Sequence, residues 1–141
     1  MYYVAIVGSR RRTDRERVSM LVAKLHMCYG YLTIVSGGCE GPDTWAAEIA
    51  WKLGIPVIEH RPVLCRESMP AWAYTRAYYK RNALIAQECD EMFAFVALDR
   101  KGGTENAIRC AIKLNKRVTI ILPDGTRQTI EPKPAQASLP I

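Results

Sequence analysis

Three short glycine-rich runs each come at or within a few residues of the end of an apolar run and straight before a helix-like pattern. They are Gly8-Ser9-Arg10, Ser36-Gly37-Gly38-Cys39-Glu40-Gly41 and Lys101-Gly102-Gly103-Thr104-Glu105. The apolar runs before them cover residues 2–7, 32–35 and 92–97. They are too short for buried helices and rich in β-branched or aromatic residues, so they read as buried strands. A strand, a glycine turn and a helix, repeated, predict a parallel sheet joined by right-handed crossovers. The expected fold is therefore α/β.

The remaining segments agree with that order. Thr13-Asp14-Arg15-Glu16 has the form of a capping box, with Thr13 as cap, ahead of Val18, Leu21, Val22 and Leu25 at helical spacing. Gly41-Pro42 opens a second helix with an apolar face of Trp45, Ala46, Ile49, Ala50 and Leu53, closed by Gly54. A third strand covers 55–59, a long helix about 71–88, and a further helix runs from Gly102-Gly103-Thr104 through Leu114. Residues 118–122 make a fifth strand. Pro123-Asp124-Gly125 is a turn after which 126–130 can fold back as a hairpin strand. The domain expected is single and Rossmann-like: a mostly parallel five-stranded sheet, helices on both faces, and a C-terminal hairpin strand. It spans 1–131, with 132–141 as a proline-rich loose tail.

Composition narrows the setting. No apolar run approaches the roughly 20 residues of a membrane helix, and the start lacks the basic leader of a signal peptide. A cytoplasmic protein without membrane contact is expected. The five cysteines, at 28, 39, 65, 89 and 110, form no CxxC pair and have no metal-like spacing. They read as free thiols, with Cys28, Cys89 and Cys110 as small core residues. The formal charge of +6 leans towards a polyanionic partner.

The chemistry is expected where the glycine loops gather, at the carboxyl edge of the sheet. Backbone N–H groups and helix N-termini converge there, which suits an anion. The expected ligand-binding set is Gly8, Ser9, Arg10, Ser36, Gly37, Gly38, Gly41, Asp43, Arg81, Asn82, Gly102, Gly103 and Thr104. Arg10 either neutralises a phosphate or is solvated. Arg11, Arg12, Arg15 and Arg17 read as a solvated face. Asp43 either complements a helix dipole or accepts a ribose hydroxyl. Trp72, Tyr74, Tyr78 and Tyr79 fit a core-packed helix face better than a base-stacking one. Glu105 either satisfies a helix start or acts with Arg81 as a catalytic pair. There is no GxGxxG and no P-loop lysine, which argues against a dehydrogenase or simple kinase.

Val7-Gly8-Ser9-Arg10, Val35-Ser36-Gly37-Gly38-Cys39-Glu40-Gly41-Pro42-Asp43, Arg81-Asn82, Asp90 and Gly102-Gly103-Thr104 together resemble the SLOG superfamily. That superfamily groups the DNA-processing protein A fold, LOG-type phosphoribohydrolases and YspA-like Rossmann proteins, and the likeness is to the small YspA-like branch. It implies a nucleotide-type ligand over the glycine-rich edge and self-association into a homo-oligomer; the residues themselves point to no cofactor and no metal. The LOG-type loop reads PGGxGTxxE; here the proline and one glycine are missing and Glu105 comes sooner. The leading expectation is thus binding of a nucleotide or nucleotide-derived ligand. A nucleoside-monophosphate phosphoribohydrolase using Glu105 and Arg81 is the second, and single-stranded nucleic-acid binding the third.

Overall fold

The computed structural model describes residues 1–64 and 68–134. In chain order the elements are β1 (Tyr2–Gly8), α1 (Arg15–Cys28), β2 (Leu32–Ser36), α2 (Pro42–Lys52), β3 (Val57–Glu59), α3 (Ala71–Glu88), β4 (Glu91–Phe95), α4 (Gly103–Lys113), β5 (Arg117–Ile121) and β6 (Arg127–Ile130). They form one six-stranded sheet in the order β3-β2-β1-β4-β5-β6. The first five strands are parallel, and β6 runs antiparallel to β5. The expected α/β class, its parallel sheet and the hairpin strand are all present.

The alternation of side chains along each strand splits the core in two. Val4 and Ile6 of β1 face one way, with Leu32, Ile34, Phe93 and Phe95, onto the apolar sides of α1 and α2. Ala5 and Val7 face the other way, with Val35, Met92, Ala94, Val118 and Ile120, onto α3 and α4. Strands apolar on both faces need cover on both faces, which the two helix pairs supply.

Gly8 ends β1 because no side chain fits there. A Cβ would run into the ring of Pro42 and lie 3.0 Å from Cβ of Phe95. The start of α2 therefore packs directly on the end of β1.

Several local expectations change. Helix α1 begins at Arg15 with Asp14 as its cap residue and no side-chain capping bond. The Thr13 capping box does not form because the cap position falls one residue later, on Asp14, whose carboxylate pairs with Arg12 and Arg17 instead of the helix amides. Leu53 follows α2 rather than completing its apolar face, and is 40% exposed. Cys89 is buried and Cys110 half-buried, but Cys28, the last residue of α1, is exposed rather than in the core. Cys65 lies outside the described residues. The tail is anchored at its start: Asn115 and Lys133 exchange two hydrogen bonds, 2.9 and 2.7 Å. The rest of the expected tail, 135–141, lies outside the described residues.

Helix α3 has 18 residues, so it is about 27 Å long. Its buried residues, Arg81, Asn82, Ile85 and Ala86, all lie in its second half. No residue of the first half is buried. Trp72, Tyr74 and Tyr79 are exposed there and Tyr78 half-buried, so these aromatics do not pack into the core. No described helix is long and apolar enough to cross a membrane.

Candidate functional site

The chain leaves β1 to build the β2–β3 side of the sheet and leaves β4 to build the β5–β6 side. The loops after β1 and β4 therefore part from each other at the carboxyl edge. Such a switch point is where open α/β sheets hold ligands. A cleft of about 630 Å³ opens there.

Gly8, Ser9 and Arg10 line it from the β1 loop, and Lys101, Gly102, Gly103 and Thr104 from the β4 loop. Helix α3 adds Tyr74, Thr75, Tyr78, Tyr79, Arg81 and Asn82, and Asp43 and Cys39 also reach it. Nine of the thirteen expected binding positions thus meet around one cavity. Ser36, Gly37, Gly38 and Gly41 do not line it.

The second glycine loop is instead closed on itself and on its neighbours. Asp43 accepts hydrogen bonds from the amides of Gly8 (3.1 Å) and Gly37 (3.0 Å), tying the ends of β1 and β2 together. The Ser36 hydroxyl donates to the Asp43 carbonyl and accepts from the Gly38 amide. Arg81 grips the same loop from the other side: its Nη1 donates to the Gly37 carbonyl at 2.6 Å, and Nη2 to Sγ of Cys39 at 3.4 Å. Its Nε donates to Oδ1 of Asn82. A Cβ on Gly37 would lie 2.6 Å from Arg81 and 2.7 Å from Asp43, so only glycine fits between them.

Arg81 is only 6% exposed and its donors are committed to this network. It holds the loop while also lining the cleft, and its guanidinium lies 5.3 Å from the centroid of the Tyr78 ring. Asn82 performs a similar task for the third loop, donating to the Gly103 carbonyl and to Asn106. Burial pushes the Asp43 carboxyl up to about 7, against the opposing pull of Arg81 and of the Gly37 and Gly8 amides.

The third loop is open. Its glycines stand free of neighbours: a Cβ at Gly102 or Gly103 would meet nothing within 4 Å. Gly103 and Thr104 begin α4, and their amides have no carbonyl one turn back to bond. Together with Arg10 and Lys101 they give the cleft a positive, donor-rich wall.

Glu105 is turned elsewhere. Its carboxylate makes a two-point pair with Arg100, at 3.0 and 2.8 Å, and it does not line the cleft. The arginines expected as a solvated face also differ from one another. Arg12 is buried and donates to Asp14 and to the carbonyls of Val96 and Ile121. Arg15 and Arg17 form surface pairs with Glu48 and Asp14, and Arg11 pairs with Asp99. Sequence reasoning missed Arg11, Cys39 and Thr75 as cleft residues. Arg11 was hidden among identical neighbours, and Thr75 carries no motif.

Residues 2–65 match the family model described as the YspA, cpYpsA-related SLOG family. This stretch belongs to the SLOG superfamily. The SLOG match covers β1 to β3 with the first two glycine loops, and ends before α3 and the third loop. No curated protein matches at a significant level. Among solved structures, DNA processing protein A from Streptococcus pneumoniae is similar at a TM-score of 0.70 and 20% identity, over 85% of this chain and 50% of that one. A Helicobacter pylori DNA processing protein A, solved for its single-stranded DNA binding mode, gives 0.67 and 23%, over 84% of this chain and 64% of that one. A molybdenum cofactor binding protein from Rippkaea orientalis gives 0.66 and 16%, over 86% of this chain and 76% of that one. At these identities the likeness is one of fold. The chain spans between half and two thirds of the two DNA processing proteins.

Proposed function

We infer that the protein binds a nucleotide or nucleotide-derived ligand in the switch-point cleft. The observation that carries this reading is the pairing of two unlike walls around one cavity. One wall offers Arg10, Lys101 and the first turn of α4, which suit phosphate. The other offers Tyr74, Tyr78 and Tyr79, whose rings suit a base. The volume lies within the range of small-molecule sites. A calorimetry and thermal-shift panel of mononucleotides, dinucleotides, NAD and ADP-ribose tests it. At least one should bind at micromolar concentration and raise the melting temperature; silence across the whole panel overturns it.

A second reading has its own observation. The first ten residues of α3 carry Trp72, Tyr74 and Tyr79 exposed, with Arg76 and Lys80 also exposed. Aromatic rings interleaved with cations suit single-stranded nucleic acid, the ligand named for the Helicobacter pylori neighbour. Oligonucleotide binding should then weaken steeply with salt and be lost on Trp72→Ala together with Tyr79→Ala. Binding that ignores salt removes this reading. Glycosidic hydrolysis draws no such support, because Glu105 is held by Arg100 away from the cleft.

A further inference from the structure

Four arginines crowd the carboxyl edge, and they differ in what holds them. Arg12 is buried and Arg81 is bound into the second loop, so each already spends most of its donors inside the protein. Arg10 is exposed on the cleft wall. Arg11 is different again. It lines both the main cleft and a neighbouring crevice of about 260 Å³ beside Thr13, Leu98 and Pro123, and is the one described residue common to the two.

The Arg11 guanidinium makes a parallel two-point pair with Asp99: Nη1 to Oδ2 at 3.0 Å and Nη2 to Oδ1 at 2.7 Å. This pair joins the β1 loop to the β4 loop across the switch point. Its two side chains are 61% and 43% exposed, so water and salt screen it and it contributes little stability. The fork it presents matches a phosphate as well as a carboxylate. Asp99 also accepts from the Lys101 amide at 3.1 Å, so its carboxylate keeps a partner and returns to water if Arg11 leaves. Exchange therefore leaves no buried charge unpaired.

Resting on the cleft as the ligand site, we propose that Arg11 is an exchangeable anion clamp. In the free protein Asp99 occupies it. A phosphate or pyrophosphate group of the ligand takes the place of that carboxylate. The swap uncouples the two loops and joins the small crevice to the main cleft. The ligand class is accordingly a phosphorylated one, and an uncharged nucleoside does not operate the clamp.

Asp99→Asn keeps an acceptor for the Lys101 amide and removes the competing charge. Calorimetry should show inorganic pyrophosphate and AMP binding about twofold to fivefold more tightly to D99N than to the wild type, with adenosine unchanged. Arg11→Ala should weaken pyrophosphate about tenfold, Arg11→Lys less, and R11A with D99N should bind no better than R11A alone. The clamp is overturned if D99N leaves pyrophosphate affinity unchanged or weaker, or if the gain survives in the R11A background. If nucleotides bind but D99N does nothing, the clamp falls and the nucleotide reading stands. If pyrophosphate responds as expected but no nucleotide binds more tightly than pyrophosphate, the clamp stands and that reading falls. If no probe binds either protein, both fall.

Discussion

The loops after β2 and β4 have nearly the same composition and opposite relations to their surroundings. Ser36–Gly41 is clamped by Asp43 and Arg81, and the amides of Gly37 and Gly38 are consumed inside the protein. The loop around Gly102 and Gly103 has open space around both glycines and faces the cleft. In the first loop Gly37 serves close packing; in the second Gly103 leaves access to the cleft while Gly102, at φ 114°, supplies a left-handed backbone. The difference comes from what lies behind each loop: two committed charged side chains in one case, and a cavity in the other.

The largest effect that could break this contrast is expected at Arg81. Arg81→Ala leaves the Gly37 carbonyl and the Asn82 side-chain oxygen without their donor, and should cost about 2–4 kcal/mol. Chemical denaturation measures it. Unchanged stability with lost ligand binding would mean that Arg81 serves the ligand rather than the loop. Gly37→Ala comes next, at about 1–3 kcal/mol of overpacking, because its methyl meets both Arg81 and Asp43. Gly103→Ala is its control and should stay within about 0.5 kcal/mol of wild type.

A pH series sharpens the same point. Burial raises the Asp43 carboxyl to about 7 in the folded chain, while the unfolded chain keeps it near the ordinary value of about 4. The folded state thus holds this proton more tightly, and the stability it contributes is complete below about pH 4 and lost as pH rises through 7. Across pH 4–8 the melting temperature of the wild type should fall relative to that of Asp43→Asn, which has no carboxyl to titrate. Parallel profiles would show that Asp43 does not titrate there. The smallest effect on stability is expected from Arg10→Ala, within about 0.5 kcal/mol, since its side chain is exposed. It should still weaken pyrophosphate binding a few-fold, as read by calorimetry.

The strand and helix order was legible because apolar runs, glycine stops and helical spacing are local signals. The switch-point cleft followed from that order. What lay beyond reach depended on partners far along the chain. Arg81 and Gly37 are 44 positions apart, and nothing near Arg81 announces that its donors will be used inside the protein. Arg10, Arg11 and Arg12 read alike, yet one lies open, one is paired on the surface and one is buried beneath Val96 and Ile121 carbonyls. The Thr13 motif fits a capping box, but Asp14 stands next to it and two arginines compete for the cap region. The aromatic half of α3 has core-like composition, yet its buried residues all fall in the other half of the helix, which no local signal announces.

The contact between Gly8 and Pro42 has a consequence for descent. Any side chain at position 8 would collide with the proline ring, so neither position can drift alone towards bulk. Among sequences that share this arrangement, a residue larger than glycine at 8 should be accompanied by a smaller one at 42, or by a shifted start of α2. The constraint across these 34 residues of chain is one-sided: position 42 can shrink alone, but position 8 can grow only after it has done so.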